Sequence, residues 1–147
     1  MKKKKTITIC SSVSFYKKVF DVKKELEQLG FNVLVPLTAE KMQKSGDFNV
    51  ENHKTWFKNP ADYKIKTKLM EGHFKKIKKS DAVLVLNYEK RGVPGYIGGN
   101  VLMEMAIAFL DKKPIYILNP IADDLNIKEE VLAMQPKFLN GDLTKII

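Results

Sequence analysis

Arginine, cysteine, histidine and tryptophan are all scarce in this chain. Arg91 is the only arginine among 26 basic residues, and the formal net charge is +9. Base and phosphate recognition in nucleic acids leans on arginine's planar fork, and no base-reading motif is present, so nucleic acid is not an expected partner. The lysines at positions 17, 18, 23, 24, 75, 76, 78 and 79 read as solvated helix faces. A single cysteine, Cys10, excludes an internal disulfide and fits a reducing compartment. Two histidines, His53 and His73, are too few for a dedicated zinc site, so no metal is expected. No apolar run approaches the roughly 20 residues that span a bilayer. The basic start, Lys2 to Lys5, leads into only five uncharged residues before the serines, which is not a secretory leader. A cytoplasmic protein with no membrane partner is expected. Two nucleotide motifs are also missing. No G-x-G-x-x-G opens the first helix and no G-K-[ST] follows the first strand, so NAD and ATP are not expected and no cofactor is assigned.

What is present is ordinary globular material: 147 residues, 44% apolar and 29% charged, enough for one domain with its own core. Strand-like and helix-like stretches alternate. "TITIC" (Thr6 to Cys10), "NVLVP", "DAVLVLN", "PIYIL" and a weak segment at Lys137 to Leu139 read as strands. Phe15, Val19, Val22, Leu26 and Leu29 recur at helical spacing after Ser14, a candidate cap, and Gly30 ends that helix. Asn59-Pro60 opens a helix running to about Lys79, with Ile65, Leu69, Phe74 and Ile77 inward. Asn100 is placed as the cap of a helix carrying Glu104, and a short helix is expected near Ile127 to Ala133. Apolar strands with helices between them imply a parallel sheet covered on both faces. The expectation is a single α/β domain over residues 1–147, flavodoxin/Rossmann-like, with five parallel strands in order 2-1-3-4-5. Thr38 to Asn59 interrupts the alternation. It is polar and over 20 residues long, and it holds the only tryptophan, Trp56. It reads as a lid or as an insert of a surface helix (Ala39 to Lys44) plus linker.

In such a sheet, ligands bind beyond the carboxyl ends of the strands where strand order reverses, here between the first and third strands. Three segments face that crevice: Cys10 to Ser14, Asn87 to Gly98, and the start of the Glu104 helix. Ser11 and Ser12 offer hydroxyls and amides for phosphate or sugar oxygens, or simply turn the chain. Gly98 and Gly99 let backbone approach a ligand closely. Glu104 is the lone acid of "GGNVLMEMAIAFL" and shares a helix face with Asn100, Ile107, Ala108 and Asp111. It is either a wet-face residue or a carboxylate placed for sugar chemistry, as acceptor or nucleophile.

These residues also carry a resemblance. "DAVLVLN", the glycine-bearing loop and "GGNVLMEMAIAFLDKKPIYIL" resemble the nucleoside 2-deoxyribosyltransferase family, which includes deoxynucleoside 5′-monophosphate N-glycosidases. The likeness covers most of the chain and is weakest over Thr38 to Asn59 and after Pro120. It implies that Glu104, in Met103-Glu104-Met105-Ala106-Ile107-Ala108 before Lys112-Lys113-Pro114, attacks C1′ of a deoxyribose and carries it as an ester. The departures are specific. Gly98 to Val101 replaces a polar stretch, and His73 stands where an aspartate is typical, eight residues before Asp81. Thr8 replaces a first-strand tyrosine, and Ser11-Ser12-Val13-Ser14 replaces a glycine-rich loop. The resemblance implies an N-glycosidic-bond enzyme, hydrolase or deoxyribosyltransferase, on a nucleoside or nucleotide. Glu104 and His73 are the catalytic candidates, and Ser11, Ser12, Asn87, Gly98, Gly99, Asn100 and Trp56 the substrate contacts. Lys90 and Arg91 are candidates for facing a 5′-phosphate. A homo-oligomer, at least a dimer, is expected, with Ile115 to Pro120 and Ile146-Ile147 as contact surface. The alternative is a non-catalytic nucleotide-binding or sensor protein on the same scaffold.

Overall fold

The central strand is the most apolar stretch of the chain, and it organises the rest. β3 (Ala82–Leu86) is buried at every residue and is flanked on both sides by parallel partners. β1 (Thr6–Ser11) runs beside it with Ile7 opposite Ala82 and Ser11 opposite Leu86. β2 (Asn32–Leu34) adds outside β1, while β4 (Ile115–Ile117) and β5 (Lys137–Phe138) extend the other edge. The computed structural model describes residues 3–147 and gives five parallel strands in the order β2-β1-β3-β4-β5, as the alternating pattern implies. Of the Lys2 to Lys5 run, Lys2 lies outside the described residues, and Lys3 to Lys5 precede β1 without regular structure.

Side-chain alternation divides the interior in two. Ile7, Ile9, Leu84 and Leu86 point to one face, where α1 (Tyr16–Gln28) and α2 (Leu37–Ser45) bring Val19, Leu26, Ala39 and Met42. Cys10, Val83, Val85, Ile115 and Ile117 point to the other. There α4 (Tyr63–Lys79), α5 (Gly99–Leu110) and α6 (Lys128–Ala133) supply Ile77, Val101, Met105, Ala108 and Val131. Each valine, leucine, isoleucine or methionine so removed from water contributes roughly 1.5–3 kcal/mol. No helix among the described residues is long and apolar enough to cross a membrane.

Several local expectations are corrected. Ser14 is exposed and makes no cap bond, because a 3-10 turn (Val13–Phe15) comes before α1. Leu29 and Ile65 lie outward at the helix ends, 43% and 46% exposed. Gly98, not Asn100, is the cap residue of α5. Ile115 to Leu118 are buried within the sheet and its core, so they are not an outer contact surface. The polar segment Thr38 to Asn59 is folded throughout much of its length. α2 packs Ala39 and Met42 into the core without exposure, and a strap of α3 (Val50–His53) and a 3-10 turn (Thr55–Phe57) follows and buries Trp56.

Candidate active site

β1 and β3 diverge at the point where the strand order reverses, and the chain leaving each of them borders a crevice. The loop after β3 is held in place by two asparagines. Asn87 Nδ2 donates to the Asn119 and Gly95 carbonyls, and its Oδ1 accepts from the Asn119 amide. Asn119 Nδ2 donates back to the Asn87 carbonyl. Asn87 is therefore fully buried and engaged in this clasp, not turned to a ligand. Gly95 fits beneath it with positive φ, and a Cβ there would collide with the Pro120 carbonyl.

Glu104 lies at the floor of the crevice. It is 3% exposed, which overturns the wet-face reading, and it projects from the second turn of α5. Facing it from α4 is His73, with Nε2 at 3.3 Å from Oε2. Cys10, from the end of β1, places Sγ 3.8 Å from the same nitrogen. Burial pushes the Glu104 carboxyl up to about 8, with the Lys66 ammonium pulling weakly downward. Burial pushes the His73 imidazole down to about 4, helped by the charge of Lys76. The Ile9 carbonyl nearby pulls weakly the other way, although Nδ1 makes no hydrogen bond of ordinary geometry. At neutral pH the pair thus holds one proton, on the carboxyl, and the contact joins a neutral acid to a neutral base. Cys10 stays a thiol, since burial and the Glu104 charge push it upward, so it is not a competing nucleophile. Cys10, His73 and Glu104 are nonetheless three donors within 4.8 Å of one another, a set that could hold a metal ion. A count of histidines and cysteines could not anticipate it, because the third donor is the glutamate. The cationic fields of Lys66 and Lys76 weigh against a metal cation there.

Two compartments open above this floor. The inner one is bounded by Trp56, Leu69, Met70 and Phe74 together with His73 and Glu104. Its free volume is about 50 Å³, room for one or two waters but not for a nucleobase. Trp56, 4% exposed, lines this space beside Glu104 and His73. The outer compartment, about 190 Å³, is bordered by Ser11, Ser12, Gly98, Gly99, Asn100 and three lysines, 54, 66 and 90. Lys66 donates to Asn100 Oδ1 at 2.9 Å, and Lys90 to Ser12 Oγ at 3.3 Å. Arg91 is exposed at a tight turn and does not border the crevice, and His53 instead meets the Asp47 carbonyl.

Three residues were not singled out by sequence. Tyr16, which borders both compartments, has its phenol pushed upward by burial and by Glu104 and Cys10, so it stays a neutral donor. The Thr8 hydroxyl is bonded to Ser80 and the Lys76 carbonyl, so it does not face the crevice floor as a free donor. Tyr16 enters the neighbourhood of Glu104 from α1 instead. Lys66 could have been found, because Lys66, Met70 and His73 follow each other at helical spacing along one face of α4. Lys54 carried no local signal. No protein-family model matches the chain and no curated protein matches it, so the site is read from its own residues.

Proposed function

We propose that the protein breaks the N-glycosidic bond of a nucleoside or nucleotide, with Glu104 as the covalent nucleophile and His73 as its proton acceptor. The observation that carries this reading is the buried carboxyl on the crevice floor, 3.3 Å from a buried imidazole. A protonated carboxyl cannot attack, so the first event is transfer of its proton to His73 Nε2. The carboxylate oxygen then bonds to the anomeric carbon while the C–N bond breaks, and its electron pair leaves on the base. The base takes up a proton from His73 or water. Water, in hydrolysis, or a second base, in transfer, then attacks the sugar carbon, and the C–O bond to Glu104 breaks. The proton lost by the attacking group passes through His73 back to the freed carboxylate. Ser11, Ser12 and Asn100 would hold sugar or phosphate oxygens, and Gly98 and Gly99 let backbone approach them. Trp56 would stack on the base once the strap over the inner compartment shifts. The test is incubation with a panel of nucleosides and nucleotides, with chromatography for released base. Release from at least one substrate is expected, and none from any would overturn the enzyme reading.

The same proton favours a second reading. A carboxyl that rests neutral is a poor nucleophile but a good donor to a bound base or sugar, as a non-catalytic nucleotide sensor would use it. Tight binding of a nucleotide without base release would support that reading.

We further propose self-association in the cytoplasm, at least as a dimer. Support comes from α5, whose outer face leaves Met103, Phe109 and Leu110 41%, 54% and 76% exposed. A monomer by light scattering at tens of micromolar would overturn it.

A further inference from the structure

The outer compartment is lined by cations that have no partner in charge. Lys54 enters from the strap, Lys66 from α4 and Lys90 from the loop after β3, and no carboxylate borders the space. None of the three is ion-paired among the described residues. Their neighbours are neutral: Lys66 and Lys90 donate to Asn100 and Ser12, and their ammoniums lie 5.8 Å from the Trp56 ring centre and 4.9 Å from that of Tyr96. All three ammoniums are pushed downward, first by burial. For Lys54 the next causes are the charges of Lys66 and Lys90, and for Lys90 the charge of Arg91, while Glu104 pulls Lys66 the other way. Like charges gathered from three separate elements destabilise a protein that gains nothing from them, and a multivalent anion would relieve all three at once. The backbone adds to this, because α5 begins at Gly99 and directs the positive end of a twelve-residue helix into the same space. A volume of about 190 Å³ corresponds to roughly six waters, ample for one tetrahedral phosphate.

We propose that this compartment is a phosphate-binding subsite formed by Lys54, Lys66 and Lys90, which makes the substrate a nucleotide rather than a nucleoside. The proposal rests on the nucleoside-or-nucleotide reading of the crevice. Its geometry is economical, since Tyr16, Lys54, Lys66 and Asn100 border both compartments. A phosphate held by the lysines therefore leaves the sugar above Glu104 and the base toward Trp56. Lys54 has a further effect. Of the three lysines it alone is carried by the strap, two residues before Trp56, so a bound phosphate would tie the strap to the body.

The experiment is calorimetric titration with the four common 2′-deoxynucleosides, their 5′-monophosphates, inorganic phosphate and a short 5′-phosphorylated single-stranded oligonucleotide. At least one monophosphate should bind about tenfold or more tightly than its nucleoside, the gain expected of charge-assisted hydrogen bonds. Lys66→Gln and Lys90→Gln should each remove most of that gain, weakening the monophosphate at least about fivefold more than its nucleoside, while Lys66→Arg, which keeps the charge, should retain it. Equal affinity for nucleosides and nucleotides, or equal losses for both in the glutamine variants, would overturn the subsite. An oligonucleotide binding more tightly than every mononucleotide would assign the lysines to a nucleic-acid end and overturn the nucleotide assignment. Nucleosides that lose their base with no advantage from phosphate would sink the subsite and leave the glycosidic reading standing. Inorganic phosphate bound by the wild type and lost in Lys66→Gln, with no base released from any nucleotide, would keep the subsite and sink the glycosidic reading.

Discussion

The two compartments of the crevice share a wall and differ in almost everything else. The inner one holds the buried Glu104–His73 pair, which rests neutral, with Trp56 on its wall. The outer one is open, with three cations and no acid. Burial is the first cause of the shifts in both, and it leaves the inner pair neutral. In the outer compartment the charges of Lys66 and Lys90 add to it at Lys54 and that of Arg91 at Lys90. The inner compartment thus answers first to protonation and the outer to ions, with Lys54 and Lys66 bordering both.

The largest effect should come from the inner floor. Glu104→Gln keeps the shape and removes the nucleophile, so base release should fall by at least about a thousandfold while ligand binding stays within about tenfold. Single-turnover assays beside equilibrium titrations check this. Wild-type turnover in Glu104→Gln would end the covalent mechanism.

The next effect concerns stability against pH. Above pH 6.5 the unfolded chain binds no proton at either group, with the reference values at 4.5 for Glu104 and 6.5 for His73. The folded pair keeps one proton on Glu104 until about pH 8. The folded state therefore binds more protons in this window, and its stability falls as pH rises from 6.5 to 8, by about 2 kcal/mol. Between 4.5 and 6.5 both states bind one proton, so this pair contributes no slope. Urea unfolding at stepped pH should show the decline in the wild type and lose it in Glu104→Gln. A decline that survives the substitution would place its origin elsewhere.

Trp56 gives a smaller effect of the same kind. The inner space is too small for a base and Trp56 is part of its wall, so ligand entry should change the indole's surroundings. As it is the only tryptophan, protein fluorescence reports it directly. Emission should shift at saturating ligand, and Trp56→Ala should weaken nucleotide binding by about 1–3 kcal/mol through lost stacking. Tighter binding in Trp56→Ala would make the indole a plug instead of a platform. The smallest effect expected is Ser14→Ala, within about 0.5 kcal/mol of wild type in chemical unfolding, because the exposed serine caps nothing.

That serine shows where sequence reading works and where it fails. The sheet was legible because "DAVLVLN" and "PIYIL" are too apolar for a half-wet strand, and parallel strands need helical crossovers. Glu104 was legible because a charge inside an apolar helix is rare enough to need a reason. Caps were less so: Ser14 and Asn100 have the right chemistry, but a 3-10 turn pre-empts the first and Lys66 engages the second. α2 was hidden by the polarity around it, although Ala39 and Met42 stand three apart, one helical turn. Asn87 reads the same whether it meets a ligand or a partner 32 residues away, and only the fold brings Asn119 to it. The lysine trio is of that kind as well, since nothing local separates Lys54, Lys66 and Lys90 from the many solvated lysines.

The asparagine clasp beside the crevice is built from amides and carbonyls alone. No member titrates near neutrality, and none is strongly screened by salt. The scaffold of the loop after β3 is therefore electrically silent, next to a pair that answers to pH and a trio that answers to ionic strength. This part of the pocket wall keeps its bonds while the solution changes the charges beside it. A response to salt or pH in ligand binding is therefore traced to the pair and the trio and not to the clasp, as an electrode with an inert support reads only its coating.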